Sequence, residues 1–206
     1  MKKTLFLFLS LIAMSWSVHA EEFQNGVHYT TLPVAQPTVT GDKIEVLEVF
    51  WYGCPHCFKF EPFIERWQRS MPANAQFVAM PGVLRPSWEP HGRAFYTAQL
   101  LGVQEKIHKP LFNAIHLEKR ALENQEQLAK FFAEFGVDEA TFNKTYTSFA
   151  VETRVRQAKN LVSRYGLDGV PTVIVNGKYI VSNRLTGGPA ETLKVIDHLV
   201  AKESKK

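Results

Sequence analysis

The sequence predicts an α/β fold in which a large inserted α-helical domain interrupts a small β-sheet. Runs of β-branched and aromatic residues, typical of strands, occur near the start and near the end of the chain. Between them, apolar residues recur at helical spacing. The first two strand-like runs enclose a helical one, and this β-α-β order implies that the two strands are parallel. We therefore assign residues 21–83 and 151–206 to the α/β part and residues 84–150 to the inserted helices.

The first twenty residues have the features of an export signal that is removed. The chain opens with Met1 and two lysines, continues with an apolar and uncharged stretch over 4–18, and reaches Ala20 where signal peptidase would cut. The apolar stretch is shorter than the roughly 20 residues that a membrane-spanning helix needs, and a retained anchor is the alternative. We expect residues 1–20 to be cleaved and the mature protein to be exported.

The composition is that of an ordinary globular protein. Hydrophobic residues make up 45% of the chain and charged residues 21%, which argues against wholesale disorder. The formal net charge is +4, and removing the two lysines of the signal, which contains no acid, leaves +2. Such a small positive charge gives no reason to expect nucleic acid as a partner.

Strand and helix patterns follow one another along the α/β part. Residues 21–43, which contain Pro33 and Pro37, predict an irregular arm with one short strand. The predicted elements after the arm are a strand over 43–51, a helix to about residue 70, a strand over 75–80, a helical stretch over 151–165, a strand over 171–175, a strand over 178–181 and a helix over 189–201. Asn176-Gly177, between the last two strands, is a strong signal for a tight hairpin turn.

The inserted segment is dominated by apolar positions at three- and four-residue spacing, which indicates helices that pack through one face. Phe131, Phe132 and Phe135 form one such stripe, and we interpret it as helical core rather than as a binding face. The segment also holds three histidines that we expect to lie at the surface or to be hydrogen-bonded within the fold: His91, His108 and His116.

The chain has two cysteines, Cys54 and Cys57, and they flank Pro55 and His56 in one C-x-x-C motif. In an exported protein such a thiol pair meets an oxidising environment. A disulfide across two residues closes a very short loop and stabilises a fold little, so redox chemistry explains it better than a structural role does. A zinc site would need two further ligands, and the sequence has no second C-x-x-C or H-x3-H pair. We therefore expect no metal.

The motif stands where a predicted strand ends at Trp51 and a predicted helix begins at Pro55, a favoured first helical residue. Cys54 then lies at the helix N-terminus, where backbone N–H groups and the helix dipole favour the thiolate. His56 would stabilise that thiolate further. A stabilised thiolate favours the reduced form and makes the disulfide a stronger oxidant. We expect Cys54 to be exposed and attacked, and Cys57 to be buried and to resolve the mixed disulfide.

The chain resembles the DsbA family of periplasmic disulfide oxidoreductases. The resemblance rests on the Cys54–Cys57 motif, on Val170-Pro171 at the entry to a strand, and on the order of arm, β-α-β unit, helical insertion, hairpin and last helix. It covers the whole chain after residue 20. It implies a thioredoxin-like fold with a large inserted α-helical domain. It also implies that Pro171 is a cis-proline facing the disulfide and that the Val170 backbone pairs with a substrate peptide; a plain edge proline is the alternative.

The resemblance further implies a dithiol oxidase that donates its Cys54–Cys57 disulfide to reduced, unfolded exported polypeptides. Such an enzyme needs no cofactor besides this disulfide, and a DsbB-like membrane quinone reductase reoxidises it. We expect a monomer. A reductase or isomerase of the same fold and a non-enzymatic peptide-binding chaperone are the alternatives. Isomerases of this fold usually carry an N-terminal dimerisation domain, for which residues 21–43 leave little room.

Glu48 stands six residues before Cys54, on the strand that leads to the motif. The family has a buried acid at this position that assists proton transfer near the buried cysteine, often with a lysine partner on the next strand. The corresponding stretch over 77–80 has no lysine. Glu48 is then either unpaired, which would raise its pKa, or paired with another group. An exposed glutamate on a strand face is the alternative.

Overall fold

The computed structural model describes residues 23–205, so the predicted export signal lies outside the described residues. The strands are β1 (Thr30–Thr31), β2 (Ile44–Phe50), β3 (Ala75–Pro81), β4 (Thr172–Val175) and β5 (Tyr179–Ser182). The helices are α1 (Pro55–Ser70), α2 (Glu89–Leu100), α3 (Gln104–His116), α4 (Gln125–Ala133), α5 (Glu139–Tyr146), α6 (Phe149–Arg164), α7 (Asn183–Thr186) and α8 (Pro189–Glu203), with a 3₁₀ turn over Pro86–Trp88. The predicted strands and helices of the α/β part are confirmed, whereas the short helix α7 was not predicted.

The strands form one sheet in the order β1-β5-β4-β2-β3. The prediction of parallel strands is confirmed for β2 and β3, which are joined by α1. The sheet as a whole is mixed, because β4 runs antiparallel to β2. The cause is the entry point of β4: the preceding loop places Thr172 opposite Val49, beside the cysteine motif, and the strand can only run back along β2 from there.

β2 is the central strand, and all seven of its residues are buried. Helices α1 and α8 cover one face of the sheet, where Val46 and Leu199 belong to one apolar cluster. The inserted helices cover the other face, where Leu47 and Phe95 belong to a second cluster. A strand covered on both faces forces any polar side chain on it into the interior, and Glu48 is such a side chain.

The predicted hairpin turn between β4 and β5 is confirmed. Asn176 and Gly177 both have positive φ angles, 51° and 63°, and the N–H of Lys178 donates to the carbonyl of Val175 at 3.0 Å. This is the two-residue geometry whose twist matches the flanking strands. A side chain at residue 177 would also meet the N-terminal arm, because a Cβ there would lie 2.1 Å from the carbonyl oxygen of Gln36.

The inserted helices have a core of their own that is continuous with the sheet. Phe131 and Phe132 are buried, as predicted for the phenylalanine stripe, and Phe132 packs against Phe142 with ring centroids 4.6 Å apart. The same apolar cluster reaches Phe50 at the end of β2. The helical block is therefore in direct contact with the strand that carries the cysteine motif.

Candidate active site

The cysteine motif occupies the junction between β2 and α1. Cys54 is the residue that precedes the helix, with extended backbone angles (φ −87°, ψ 117°), and Pro55 is the first helical residue. The Cys54 N–H donates to the carbonyl of Trp51 at 2.9 Å, and the N–H of Phe58 donates to the Cys54 carbonyl at 3.0 Å. A strand, a tight turn and a helix start thus hold the Cys54 sulfur at the N-terminus of α1, as the sequence predicts.

The surroundings of Cys54 lower the pKa of its thiol to about 6. The largest cause is a hydrogen bond from the Cys57 side chain, and burial opposes it. Hydrogen bonds from the backbone N–H groups of Cys57 and His56 follow, and the charge of His56 contributes least. At neutral pH Cys54 is therefore mainly a thiolate, the form that acts as a nucleophile. The helix-terminus effect was predicted from the sequence, whereas the dominant cause, the second thiol, was not.

The environment of Cys57 raises the pKa of its thiol, whereas that of Cys54 lowers it. Cys57 is completely buried, and burial is the largest cause that raises the pKa of its thiol well above the usual value. The hydrogen bond to Cys54 raises it further, as do the negative charges of Cys54 and Glu48. Two cysteines three positions apart thus have different chemistry: one is stable as a thiolate and the other as a thiol.

Cys54 is less exposed than predicted. Only 7% of the residue is accessible, compared with 0% of Cys57. The cause is the loop before β4, which brings the Val170 carbonyl oxygen to 3.6 Å from the Cys54 sulfur.

The loop that covers Cys54 contains the predicted proline. The peptide bond between Val170 and Pro171 is cis. Both residues line a groove of about 720 Å³ that also includes His56, Thr31 of β1 and Ile180 of β5. The structure thus brings His56, Val170 and Pro171 together in this groove, with the Cys54 sulfur 3.6 Å from the Val170 carbonyl oxygen.

Glu48 is buried, so the alternative of an exposed strand-face side chain is wrong. It is 2% exposed, and within the described residues its Oε1 atom has no hydrogen-bond partner. Its pKa is raised well above the usual value, first by burial and then by the negative charge of Glu61 on α1. The missing lysine is therefore not replaced by a direct partner of Glu48, and a second acid stands nearby instead.

The three histidines of the inserted segment are hydrogen-bonded within the fold, as predicted, and two of them contact one tyrosine of the motif turn. A ring nitrogen of His108 and the Tyr52 hydroxyl are 2.8 Å apart, and the same distance separates a ring nitrogen of His116 from the Tyr52 carbonyl oxygen. His91 is bonded to the carbonyl of Leu122. Sequence reasoning missed this cluster, because the packing of α2 and α3 around Tyr52 leaves no local sequence signal.

Within residues 23–205, His, Cys, Asp and Glu side chains form no group of three or more that could hold a metal ion. Among the helices of that region, none is both long and apolar enough to cross a membrane.

The assignment of Cys57 as the main cause of the low Cys54 pKa can be tested by alkylation. A hydrogen bond to a charged group contributes about 1.5–3 kcal/mol, so Cys57→Ala should raise the midpoint pH of Cys54 alkylation by roughly one to two units. His56→Ala should raise it less, because the charge of His56 is the smallest contribution. Iodoacetamide reaction rates between pH 4 and pH 9 measure both midpoints. A larger shift for His56→Ala than for Cys57→Ala would contradict the assignment.

Comparisons with known proteins identify the family of the chain. A family model described as DSBA-like thioredoxin domain matches residues 89–190. The thiol:disulfide interchange protein DsbA of Pseudomonas aeruginosa is 42% identical over 94% of this chain and 91% of its own length. The DsbA of Burkholderia cepacia is 39% identical over 96% of this chain and 93% of its own.

Comparisons with solved structures identify the same family. The crystal structure of Pseudomonas aeruginosa DsbA has a TM-score of 0.85 and 43% identity, covering 91% of this chain and 99% of that one. The oxidoreductase DsbA of Xylella fastidiosa has a TM-score of 0.82 and 32% identity, covering 87% of this chain and 96% of that one. The predicted thioredoxin-like fold with inserted helices is confirmed, and the chain belongs to the DsbA family of thiol:disulfide interchange proteins.

Proposed function

We propose that this thiol:disulfide oxidoreductase works as a dithiol oxidase that donates its Cys54–Cys57 disulfide to newly exported polypeptides. The observation that carries the proposal is the position of Cys54 at the N-terminus of α1 next to the buried Cys57, which lowers the pKa of Cys54 to about 6. A stable Cys54 thiolate lowers the free energy of the dithiol form but leaves the disulfide form unchanged. The disulfide is therefore easily given up, which is the property of an oxidant rather than of a reductase.

The proposed reaction has two displacements. A substrate thiolate attacks the Cys54 sulfur, the Cys54–Cys57 bond breaks, and Cys57 leaves with the electron pair. A second substrate thiolate then attacks the substrate sulfur of the mixed disulfide, and Cys54 leaves as the stable thiolate. The substrate loses two electrons and the enzyme gains them. No other cofactor is needed.

Cys57 must gain a proton when it leaves, because its raised pKa disfavours the buried thiolate. Glu48 is the proposed proton donor. Burial raises the pKa of Glu48 and so favours its protonated form, and a negative charge on Glu48 raises the pKa of Cys57. The same carboxyl would take the proton back when Cys57 attacks during reoxidation.

Val170 and Pro171 are the proposed contacts for the substrate backbone. Both line the groove that also includes His56 and residues of β1 and β5, and the Val170 carbonyl oxygen lies 3.6 Å from the Cys54 sulfur. An extended peptide in this groove would place its own cysteine against the Cys54 sulfur. Unfolded polypeptides offer such extended segments, which supports reduced and unfolded proteins as the substrates.

The cellular setting is part of the same proposal. The protein acts in the periplasm as a monomer after loss of residues 1–20, and a DsbB-like membrane quinone reductase restores its disulfide. The signal-like composition of residues 1–20 and membership of the DsbA family support this setting.

The direction of the reaction can be tested with a reduced polypeptide as substrate. Equimolar oxidised enzyme should convert the two thiols of a reduced, denatured polypeptide into a disulfide and itself become the dithiol. Trapping both proteins with a mass-labelled maleimide at pH 7 measures the transfer. If instead the dithiol enzyme reduces the substrate disulfide and the reverse transfer does not occur, the protein is a reductase.

A further inference from the structure

A tight turn over residues 51–54 leads from β2 into the cysteine motif. The Cys54 N–H donates to the Trp51 carbonyl at 2.9 Å, which closes a four-residue β-turn with Tyr52 and Gly53 at its centre. Gly53 does not have a positive φ angle, whereas a type II turn requires one at the third residue. The central peptide, between Tyr52 and Gly53, therefore has the orientation of a type I turn rather than that of a type II turn.

The residues of the turn do not themselves select this orientation. Glycine adopts negative and positive φ angles about equally readily, so both turn types are open to Gly53. A side chain at this position would restrict the choice, but its Cβ would lie 2.3 Å from the indole of Trp51. That indole is itself held in place, because it is stacked on the ring of Trp88 with centroids 4.3 Å apart. The orientation of the central peptide therefore depends on groups outside the turn.

His116, the last residue of α3, contacts the central peptide of this turn. Its Nε2 atom is 2.8 Å from the Tyr52 carbonyl oxygen, and because a carbonyl oxygen can only accept, Nε2–H is the donor. The hydrogen bonds formed among residues 23–205 include no other donor to this carbonyl. Rotation of the peptide to the type II orientation would turn the carbonyl to the other side of the turn and break this bond.

The same imidazole packs against the chain that follows Cys54. It stacks on the ring of Phe58 with centroids 4.8 Å apart and an interplanar angle of 15°. Phe58 lies in the first turn of α1, and its N–H donates to the Cys54 carbonyl at 3.0 Å. The Tyr52 side chain is held by α3 as well, because its hydroxyl is 2.8 Å from Nδ1 of His108. His116 thus contacts the chain on both sides of Cys54, the turn before it and the helix after it.

These contacts matter more for the dithiol form than for the disulfide form. In the disulfide form the S–S bond ties Cys54 covalently to Cys57 of α1. In the dithiol form only hydrogen bonds and packing hold the turn against the helix. The Cys54 thiolate needs this position, because the Cys57 thiol and the backbone N–H groups of α1 stabilise it. A group that holds the turn therefore stabilises the dithiol relative to the disulfide and makes the disulfide a stronger oxidant.

We propose that His116 is a positioning residue that holds the motif turn in its type I orientation and thereby favours the dithiol form. This rests on the proposed oxidase function, which requires a disulfide that is easily given up. His116 acts through the Tyr52 carbonyl and the Phe58 ring rather than on the sulfurs. The inserted helical block, which carries His116, is then part of what tunes the Cys54–Cys57 disulfide.

The redox equilibrium with glutathione at pH 7 tests the proposal in two variants that separate the hydrogen bond from the stacked ring. His116→Phe keeps an aromatic ring against Phe58 and removes the donor. His116→Gln places an amide N–H near the position of Nε2 and removes the ring. The net contribution of one hydrogen bond corresponds to about three- to tenfold in an equilibrium constant. We therefore expect His116→Phe to shift the equilibrium toward the disulfide by about three- to tenfold, and His116→Gln to stay within about twofold of the wild type.

Alkylation of Cys54 and a matched control separate positioning from a general loss of packing. The midpoint pH of Cys54 alkylation should rise by up to about one unit in His116→Phe, because a turn that is not held places the thiolate less well at the N-terminus of α1. The matched control is Lys109→Gln. It removes another link between α3 and α1, the ion pair with Glu65 at 3.0 Å, and should keep the wild-type equilibrium and midpoint.

Three results would overturn the proposed role of His116. A wild-type equilibrium in His116→Phe would show that the hydrogen bond does not favour the dithiol. Equal shifts in both variants would assign the effect to packing of the ring. A shift of about threefold or more in His116→Gln contradicts the hydrogen-bond role even if His116→Phe does not fold. In each case the wild-type protein could still oxidise a reduced polypeptide, so failure of this proposal is distinguishable from failure of the oxidase function.

Discussion

Replacing Cys54 by serine should abolish the oxidation of a reduced polypeptide. The substrate thiolate attacks the Cys54 sulfur, and a serine hydroxyl can form no disulfide, so the expected loss is complete rather than partial. The same variant separates an enzyme from a chaperone. A chaperone that only binds unfolded chains in the groove beside Val170 and Pro171 would still suppress aggregation of a denatured protein at the wild-type level.

The matched control for this experiment is Cys57→Ala, which keeps the Cys54 sulfur and removes the resolving one. It should accumulate a mixed disulfide between Cys54 and a substrate that already contains a disulfide, because no second enzyme thiol is present to release it. Non-reducing gel electrophoresis detects the adduct. Full polypeptide oxidation by Cys54→Ser, or a stable adduct through Cys57 in that variant, would contradict the assigned roles of the two sulfurs.

The second large effect expected is a pH-dependent stability of the dithiol form. A lowered folded-state pKa contributes stability that is fully present above the unfolded-state pKa and is lost as the pH falls through the folded-state pKa. The pKa of Cys54 is about 6 in the fold. With an unfolded thiol pKa of about 8.5, the contribution is about 1.4 kcal/mol at pH 7 and about 3 kcal/mol above pH 9.

Urea unfolding between pH 5 and pH 8 measures this contribution, because above the unfolded thiol pKa of about 8.5 the raised pKa of Cys57 lowers the stability of the dithiol form. The disulfide form is the control, because it contains the same chain without a Cys54 thiol that can ionise. The free energy of unfolding of the dithiol form should rise relative to that of the disulfide form as the pH increases through 6. Parallel pH profiles for the two forms would mean that the Cys54 thiolate is not stabilised by the fold.

The local features of the site follow from the sequence. A run of β-branched residues, a C-x-x-C motif and a proline at the first helical position are enough to place Cys54 at a helix N-terminus. The difference in accessibility between Cys54 and Cys57 follows as well, because one turn of helix carries the second cysteine into the core. These predictions depend on residues that are close in sequence, and the physics that decides them is local.

The features that the sequence does not predict depend on packing between distant segments. Cys54 is covered because the loop at Val170 folds over it, and the direction of β4 depends on where that same loop enters the sheet. The contact of Glu61 with His108 requires α3 of the inserted block to pack on α1. Nothing in the local sequence pattern of either helix predicts this contact. The sequence therefore gives no reason to connect the three histidines with the cysteine motif.

Glu48 shows how a prediction from resemblance is refined by the structure. The absence of a lysine on the next strand is visible in the sequence and leaves two possibilities, an unpaired acid or a different partner. Among residues 23–205, Oε1 of the buried Glu48 carboxyl has no hydrogen-bond partner, and burial, followed by the charge of Glu61, raises its pKa. Only the register of β2 with β3 and β4, together with the packing of α1, could decide between the two possibilities.

The redox equilibrium of the Cys54–Cys57 disulfide with glutathione tests most directly that the fold makes this disulfide an oxidant. The same chain unfolded in urea is the reference, since it has the same cysteines without the fold. At pH 7 the stabilised thiolate should shift the native equilibrium toward the dithiol by about tenfold or more relative to the unfolded chain. A native equilibrium equal to that of the unfolded chain, or shifted toward the disulfide, would contradict the oxidase function.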